Sequence, residues 1–305
     1  MNSVTVQVPS TIGNVGVGFD TLGMALDYVG ETITLTMRSD SALVITRQES
    51  VVPLPMEATK NAATVAIQHY LEAIGSKLGF DIEIVKNVRP GSGLGSSAAS
   101  SAGGVYAANL LLGSPLSTAE LLPFALEGER AACGAPIPDN AAPALLGGIT
   151  LVRASDDIIQ LPTPPDLYVS LIYPQIDIKT EDARKVLKQN IPLKTAIRQW
   201  ADLGAFVSAL YTNDYALIGR SLRDHVVEPM RAVLIPGFDQ MKAAALNTGA
   251  LGASISGAGP SVFALSRGQK TAEEVLQAME DELNAIGMAY TCFVSAVNPK
   301  GIITL

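Results

Sequence analysis

Pro90-Gly91-Ser92-Gly93-Leu94-Gly95-Ser96-Ser97-Ala98-Ala99-Ser100-Ser101-Ala102-Gly103-Gly104 joins a glycine-rich loop to a helix start built of small residues. Glycines let backbone N–H groups approach an anion with no Cβ in the way. A helix opening near Ser96 and Ser97 aims its unpaired N–H groups and its dipole at the same point. Upstream, residues 80–85 alternate like a strand, and downstream residues 105–112 continue a helix. Strand, loop and helix in that order suit a phosphate cradle. No Lys follows the glycines, which excludes a Walker A loop, and Ser96 stands where a Rossmann fingerprint needs its third Gly. A glycine-rich turn ahead of a packed small-residue helix is the reading that involves no ligand.

Around this stretch the chain reads as alternating strands and helices. Residues 4–8 and 32–37 have the period-two pattern of half-buried strands, with a glycine-rich segment at 13–23 between them, and residues 42–46 are a third candidate. Asn61 is placed to cap a helix running through Val65, Ala66, Tyr70, Leu71 and Ile74. Ser117-Thr118-Ala119-Glu120 matches a capping box ahead of a helix running towards Cys133, and residues 147–152 read as a strand. Leu161-Pro162-Thr163-Pro164-Pro165 is the best linker, because Pro continues neither a helix nor a central strand. Beyond it, strands are expected at 167–173, 254–255, 262–265 and 290–297, and helices at 181–188, 194–210, 238–246 and 272–286. The expectation is a two-domain α+β chain divided into residues 1–163 and 164–305.

Composition narrows the class. With 48% hydrophobic and 16% charged residues in 305, the chain is a folded globular protein with room for two cores. Apolar runs are broken by Gly, Pro or charge well before the ~18 residues a membrane span needs, and the N-terminus lacks a secretory pattern, so a cytoplasmic location is expected. A net charge of −8 argues against nucleic acid, whose phosphates are met by Lys and Arg. It does not argue against a small anion, which local N–H groups, a metal ion and a few side chains can hold. Cys133 and Cys292 are too few for a disulfide framework and read as buried small hydrophobes. His69 and His225 read as structural, because no nucleophile motif accompanies them.

Three ordered blocks resemble the motifs of the GHMP small-molecule kinases: residues 8–20, the loop at 90–99, and Ser256-Gly257-Ala258-Gly259-Pro260-Ser261. Within that superfamily, Gly18-Phe19-Asp20, Gly128-Glu129, Asp139-Asn140-Ala141-Ala142-Pro143 and the Glu228-Pro229-x-Arg231 pattern resemble the homoserine kinase branch. The resemblance spans nearly the whole chain. It implies an N-terminal domain like ribosomal protein S5 domain 2, a ferredoxin-like C-terminal domain and an active site between them. It also implies ATP and Mg²⁺ as cofactors, L-homoserine as acceptor, a place in threonine biosynthesis, and leaves a homodimer open. Acceptors of mevalonate or shikimate type, or loss of catalysis in a nucleotide-binding relative, are the competing readings.

Phosphoryl transfer asks a protein for charge neutralisation and in-line positioning more than for covalent chemistry. Pro90, Gly91, Ser92, Gly93, Leu94, Gly95, Ser96, Ser97 and Ala98 are the expected phosphate-binding residues, and a hydroxyl of Ser96 or Ser97 has reach to a magnesium ion, with Ser97 preferred. Read alone, Glu129 is a surface helix Glu; matched to the family, it is the carboxylate that the resemblance assigns to the metal. Asn61 is explained by capping, while the resemblance places adenine and ribose near it.

For a zwitterionic hydroxy amino acid, Asp20 and Asn14 suit the ammonium and hydroxyl end, and Arg184 and Arg231 the carboxylate, since a guanidinium offers two parallel N–H bonds. The alternative reading of either Arg is one half of a structural ion pair. Thr180, four residues before Arg184, would share its helix face, and Gly257 belongs to the third motif. Asn140 stands where mevalonate kinases are taken to place a catalytic Asp, and an amide takes no proton at neutral pH. The resemblance implies transfer by positioning and charge stabilisation, with Asn140, Asp20 and Arg184 as the catalytic set. One departure from the pattern is Ile137, at the position where the family carries a His.

Overall fold

Strand β1 (Ser3–Gly13) pairs antiparallel with the 16-residue β2 (Leu22–Met37), and this long pair is the spine of the first half of the chain. Both strands run further than period-two alternation predicts. From Pro9 onward β1 is buried on both faces, so its residues no longer alternate with polar ones. β3 (Leu43–Glu49) lies parallel to β4 (Phe80–Lys86), and β4 pairs antiparallel with the second half of β2. The hairpin of β5 (Ile149–Ala154) and β6 (Asp157–Leu161) attaches to the start of β2, at Leu22 to Met24. The computed structural model describes residues 2–178 and 180–305, without the side chains of Val29, Thr180 and Glu181. Among the described residues no helix is long and apolar enough to cross a membrane.

Four helices cover this sheet: α1 (Ala62–Ala73), α2 (Ser96–Leu111), α3 (Leu122–Cys133) and α4 (Pro138–Leu146). Small residues put α2 at the centre, with Ala98 to Gly104 all buried. A Cβ at Gly103 would stand 2.6 Å from Val8 Cγ2 and 2.8 Å from Ile33 Cδ1, so that residue trades helix propensity for contact with the sheet. The Ser117–Glu120 pair is formed as the capping box predicts on the Ser117 side, with the backbone N of Ser117 donating to Glu120 Oε2 at 2.8 Å, and it opens a short 3₁₀ turn that runs into α3. α4 falls on a stretch to which the sequence reading assigns neither helix nor strand. Pro138 occupies the first helical turn, where a missing N–H costs nothing, and Pro143 is accommodated inside the helix.

In the second half, β7 (Leu167–Pro174), β8 (Gly252–Ile255), β9 (Val262–Arg267) and β10 (Tyr290–Ala296) form an antiparallel sheet ordered β10-β7-β9-β8. The chain between these strands supplies α5 (Thr180–Lys185), α6 (Leu193–Thr212), α7 (Tyr215–Ser221), α8 (Glu228–Arg231), α9 (Phe238–Asn247) and α10 (Gln269–Ala285). Its two faces sort by period two. Ile172, Val262 and Ala264 pack with Phe238, Met241, Val275, Met279 and Leu283 of α9 and α10. Val169, Leu171, Phe263 and Leu265 pack with Phe206 and Leu210 of α6, and also with Ile12, Val17, Leu22 and Leu26 of the first half. One apolar cluster therefore joins the halves, and the last strand, β11 (Ile303–Thr304), returns to pair with β1. Residues 303–304, counted with the second half in the sequence reading, thus belong to the first sheet.

Both cysteines are half-buried rather than core residues, and their thiols donate to Glu129 O and Glu280 Oε1. His225 Nε2 lies 2.8 Å from Asp202 Oδ2, and its backbone N donates to Gln199, a structural arrangement.

Candidate active site

A cavity of about 510 Å³ opens where the loop before α2, the first residues of α4, the segment after β1 and the α5 and α8 helices converge. The loop that begins at Pro90 forms one wall. Gly91, Gly93 and Gly95 take φ values of +82°, +85° and +68°, which turn the backbone inward ahead of α2. A Cβ at Gly95 would stand 2.0 Å from Thr11 Oγ1, so only glycine fits there. The loop is held from behind by the third motif: Ser256 Oγ donates to Gly93 O at 2.7 Å, and the backbone N of Ser261 donates to Ser92 O at 3.2 Å. Pro90, Gly91, Gly93, Gly95, Ser96 and Ser97 line the cavity. Ser92, Leu94 and Ala98 do not; they are buried, Leu94 and Ala98 within apolar clusters, and they shape the loop rather than face a ligand.

Asn61 also lines the cavity, and each end of its carboxamide already holds the chain. Its oxygen caps α1 by accepting from Ala63 N at 3.0 Å, and its Nδ2 donates to Pro55 O at 3.0 Å. Leu54, Pro55 and Ala62 make an apolar wall beside it.

Glu129, on α3, is no surface residue. It is 4% exposed, it faces the cavity, and its Oε1 has no hydrogen-bond partner. Burial pushes its carboxyl up to about 7, against a hydrogen bond from Ser97 that favours the ionised form. A buried carboxylate oxygen left unpaired beside a hydroxyl and a phosphate loop is the donor set a hard divalent cation takes: one or two protein oxygens, completed by phosphates and water. Among the described residues there is no group of three or more His, Cys, Asp or Glu that would cage a metal unaided.

Lys86, at the end of β4, also reaches this wall. Its Nζ donates to Ser96 O at 2.8 Å and Ser100 Oγ at 2.7 Å and is paired with Glu31. All three of its donors are used. The buried pair braces the first turn of α2, with Glu31 raised above the usual carboxylate range by burial. The sequence reading assigns Lys86 no role; its only signal is a cation ending a strand four residues before the loop.

Across the cavity lie the charged groups expected for the acceptor. Arg184 Nη2 donates to both oxygens of Asp20, while Arg184 Nε is buried without a partner. Arg231, 3% exposed, donates from Nε to Ala183 O and from Nη1 to Gly257 O, each at 3.0 Å. The ring of Phe19 lies under both guanidinium groups, at 5.9 Å from Arg184 and 5.3 Å from Arg231. Burial, and then the charge of Arg184, lower the Arg231 pKa. Asn14 is locked by its own bonds, accepting from Asp20 N at 2.9 Å and donating to Gly257 O at 2.9 Å. It sets the turn that presents Asp20. The side chain of Thr180 lies outside the described residues, and α5 ends at Lys185, which places Arg184 in its last turn.

At the floor are Asp139 and Asn140. Asp139, 1% exposed, accepts from Asn14 N at 2.8 Å and from Asn140 Nδ2 at 3.0 Å. Burial, then the neighbouring charge of Asp20, push its carboxyl up to about 7. In the sequence Asp139 is one residue of the motif shared with Asn140; the fold makes it a buried carboxylate that organises both Asn14 and Asn140. Ile137, the last residue before α4, places an aliphatic side chain in the lining.

Comparison with known proteins bears on this geometry. Two family models match, GHMP kinases N terminal domain over residues 61–148 and GHMP kinases C terminal over residues 206–285. The chain belongs to the GHMP kinase family. A homoserine kinase of Chloroherpeton thalassium is 46% identical to this GHMP kinase over 299 residues, 94% of each chain. A homoserine kinase of Xanthomonas campestris pv. campestris is 37% identical, over 95% of this chain and 90% of its own. The crystal structure of homoserine kinase from Cytophaga hutchinsonii superposes with a TM-score of 0.97 at 46% identity, covering 100% of this chain and 98% of that one. An L. major mevalonate kinase superposes with a TM-score of 0.71 at 17% identity over 96% of this chain and 95% of its own, a likeness of fold. This GHMP kinase therefore has the two-domain fold of the family, with the cavity between its halves.

Proposed function

We propose that this GHMP kinase transfers the γ-phosphoryl group of ATP to the side-chain hydroxyl of L-homoserine, giving O-phospho-L-homoserine and ADP. The observation that carries the reading is one cavity with two chemically different ends. At one end are the glycine loop, the start of α2, Ser97 and the unpaired Glu129 oxygen; at the other are Asp20, Arg184 and Arg231. A polyphosphate suits the first end, and a small zwitterion the second.

Ser97 and Glu129 would hold Mg²⁺, which when bound supplies charge neutralisation to the phosphates. Backbone N–H groups of the loop and of the α2 N-terminus take the phosphate oxygens. Asp20 receives the acceptor's ammonium, and the free donors of Arg184 and Arg231 receive its carboxylate, with Phe19 fixing the two guanidinium planes. Asn140 faces the cavity between the two ends, and its amide contributes direction rather than basicity. Asp139 spends one acceptor on each oxygen orienting Asn14 and Asn140, and in this reading the hydroxyl proton leaves to a phosphate oxygen or to water. With homoserine as acceptor, the product is an intermediate of threonine biosynthesis, a cytoplasmic route.

ADP release measured with homoserine, mevalonate and shikimate tests the proposal. Turnover is expected with homoserine alone; no homoserine turnover, or a higher kcat/KM with either alternative, rejects it.

A further inference from the structure

Asn140 is held at both ends of its carboxamide, and one of the two holders, Thr11, does not line the cavity. Asn140 Nδ2 donates to Asp139 Oδ1 at 3.0 Å, and Thr11 Oγ1 donates to Asn140 Oδ1 at 2.8 Å. A carboxylate accepts only from the nitrogen end, so these two bonds fix which end of the amide is which. Thr11 also reaches the phosphate loop: its backbone N donates to Leu94 O at 3.2 Å. The Gly95 position shows how closely loop and clamp are packed, since a Cβ there would lie 2.0 Å from Thr11 Oγ1 and 2.9 Å from Asn140 Oδ1. Thr11 is 1% exposed and sits in β1 next to a register shift against β2, where it pairs with Ala25.

We propose that Thr11 is a positioning residue that sets the carboxamide of Asn140 and registers it against the phosphate loop through Leu94 and Gly95. Without the Thr11 hydroxyl, Asn140 Oδ1 loses that donor and the carboxamide is held at its nitrogen end alone, free to swing about the bond to Asp139. The hydroxyl of Thr11 removes that freedom without touching either substrate. Asp139 holds the nitrogen end, so the two clamps are complementary rather than redundant.

The test compares Thr11→Val, which keeps shape and loses the donor, with Thr11→Ser, which keeps the donor. The activity arm rests on the homoserine kinase reading. Thr11→Val should lower kcat about tenfold, the loss of one oriented hydrogen bond, with the dissociation constant for MgATP and the melting temperature close to wild type. Thr11→Ser should recover most of that kcat. A second arm needs no acceptor: the side-chain Nδ2 proton pair of Asn140 in ¹⁵N NMR spectra, assigned by its loss in Asn140→Asp. Thr11→Val should shift this pair and speed its exchange with solvent, while Thr11→Ser leaves it in place. An unmoved Asn140 pair in Thr11→Val overturns the proposal, as does a kcat within twofold of wild type. A wild-type protein inactive on homoserine rejects the acceptor and leaves the NMR arm to decide on Thr11.

Discussion

Arg184 Nη2 stands 3.0 Å from both carboxylate oxygens of Asp20, so a side chain of α5 closes on the turn that follows β1. Sequence reasoning sent these residues to opposite charges of the substrate; in the ligand-free arrangement they neutralise each other. A zwitterion entering here can exchange with the pair one charge at a time, its ammonium at Asp20 and its carboxylate at Arg184.

Asp20→Asn and Arg184→Lys should therefore each raise the homoserine KM, by roughly 10- to 100-fold for a lost charge-assisted hydrogen bond, and leave the ATP KM nearly unchanged. Steady-state kinetics with each substrate varied in turn checks this. Equal increases for both substrates would mark the pair as a brace between the halves.

Glu129→Gln is close to isosteric and keeps the α3 packing. Its kcat should fall roughly 10²-fold, the scale of losing one charge-stabilising group, and its Mg²⁺ requirement should rise. Turnover equal to wild type at limiting Mg²⁺ would remove Glu129 from the site.

Asp139 gives a pH signature in stability. Its carboxyl titrates near 7 in the fold, because of burial and Asp20, against about 4 in an unfolded chain. The folded state thus binds the proton more tightly, and the stability that this group contributes is complete below about pH 4 and is lost as pH rises through 7. The slope from this group is at most about 1.4 kcal/mol per pH unit. Urea unfolding of the ligand-free protein at pH 5.0 and 7.5 should show wild type losing more stability over that interval than Asp139→Asn; parallel profiles would refute the assignment.

Ile137 puts an aliphatic group into the cavity lining at a position where the family resemblance implies a His. Asp20, Arg184 and Arg231 still address both charged ends of homoserine, so Ile137→His should lower the homoserine KM severalfold, the worth of one added polar contact. If Ile137 instead faces an apolar part of a different acceptor, the same change will depress turnover of that compound in the ADP-release panel.

What was legible in the sequence was the part written in glycine and in motif order. The loop at 90–99, the start of α2 at Ser96, the Asn61 cap and the groups on Asp20, Glu129, Arg184 and Arg231 all follow from local chemistry or matched spacing, and all these residues except Ser92, Leu94, Ala98 and Ala99 reach the cavity. What was not legible depends on distant pairing. Lys86 acquires its place only when β4 sets it against Glu31 and Ser100, and Thr11 only when β1 lies beside α4. The α4 helix was hidden by Pro138 and Pro143, which as residues argue for a loop and in this fold fit a short helix.

β11 gives the chain a property that its linear order conceals. Val6 pairs with Thr304, and the backbone N of Leu305 donates to Thr5 O at 3.0 Å, which leaves residues 2 and 305 on one edge of the same sheet. In backbone terms the described residues form nearly a ring, open between Leu305 and Asn2. A linker of about four to six residues from Leu305 back to Asn2 would close it, and the exposed turn at Ser155 and Asp156, between β5 and β6, would serve as the new opening. A permuted enzyme of that kind would carry Thr11 and Asn14 in the interior of its sequence, with the cavity unchanged.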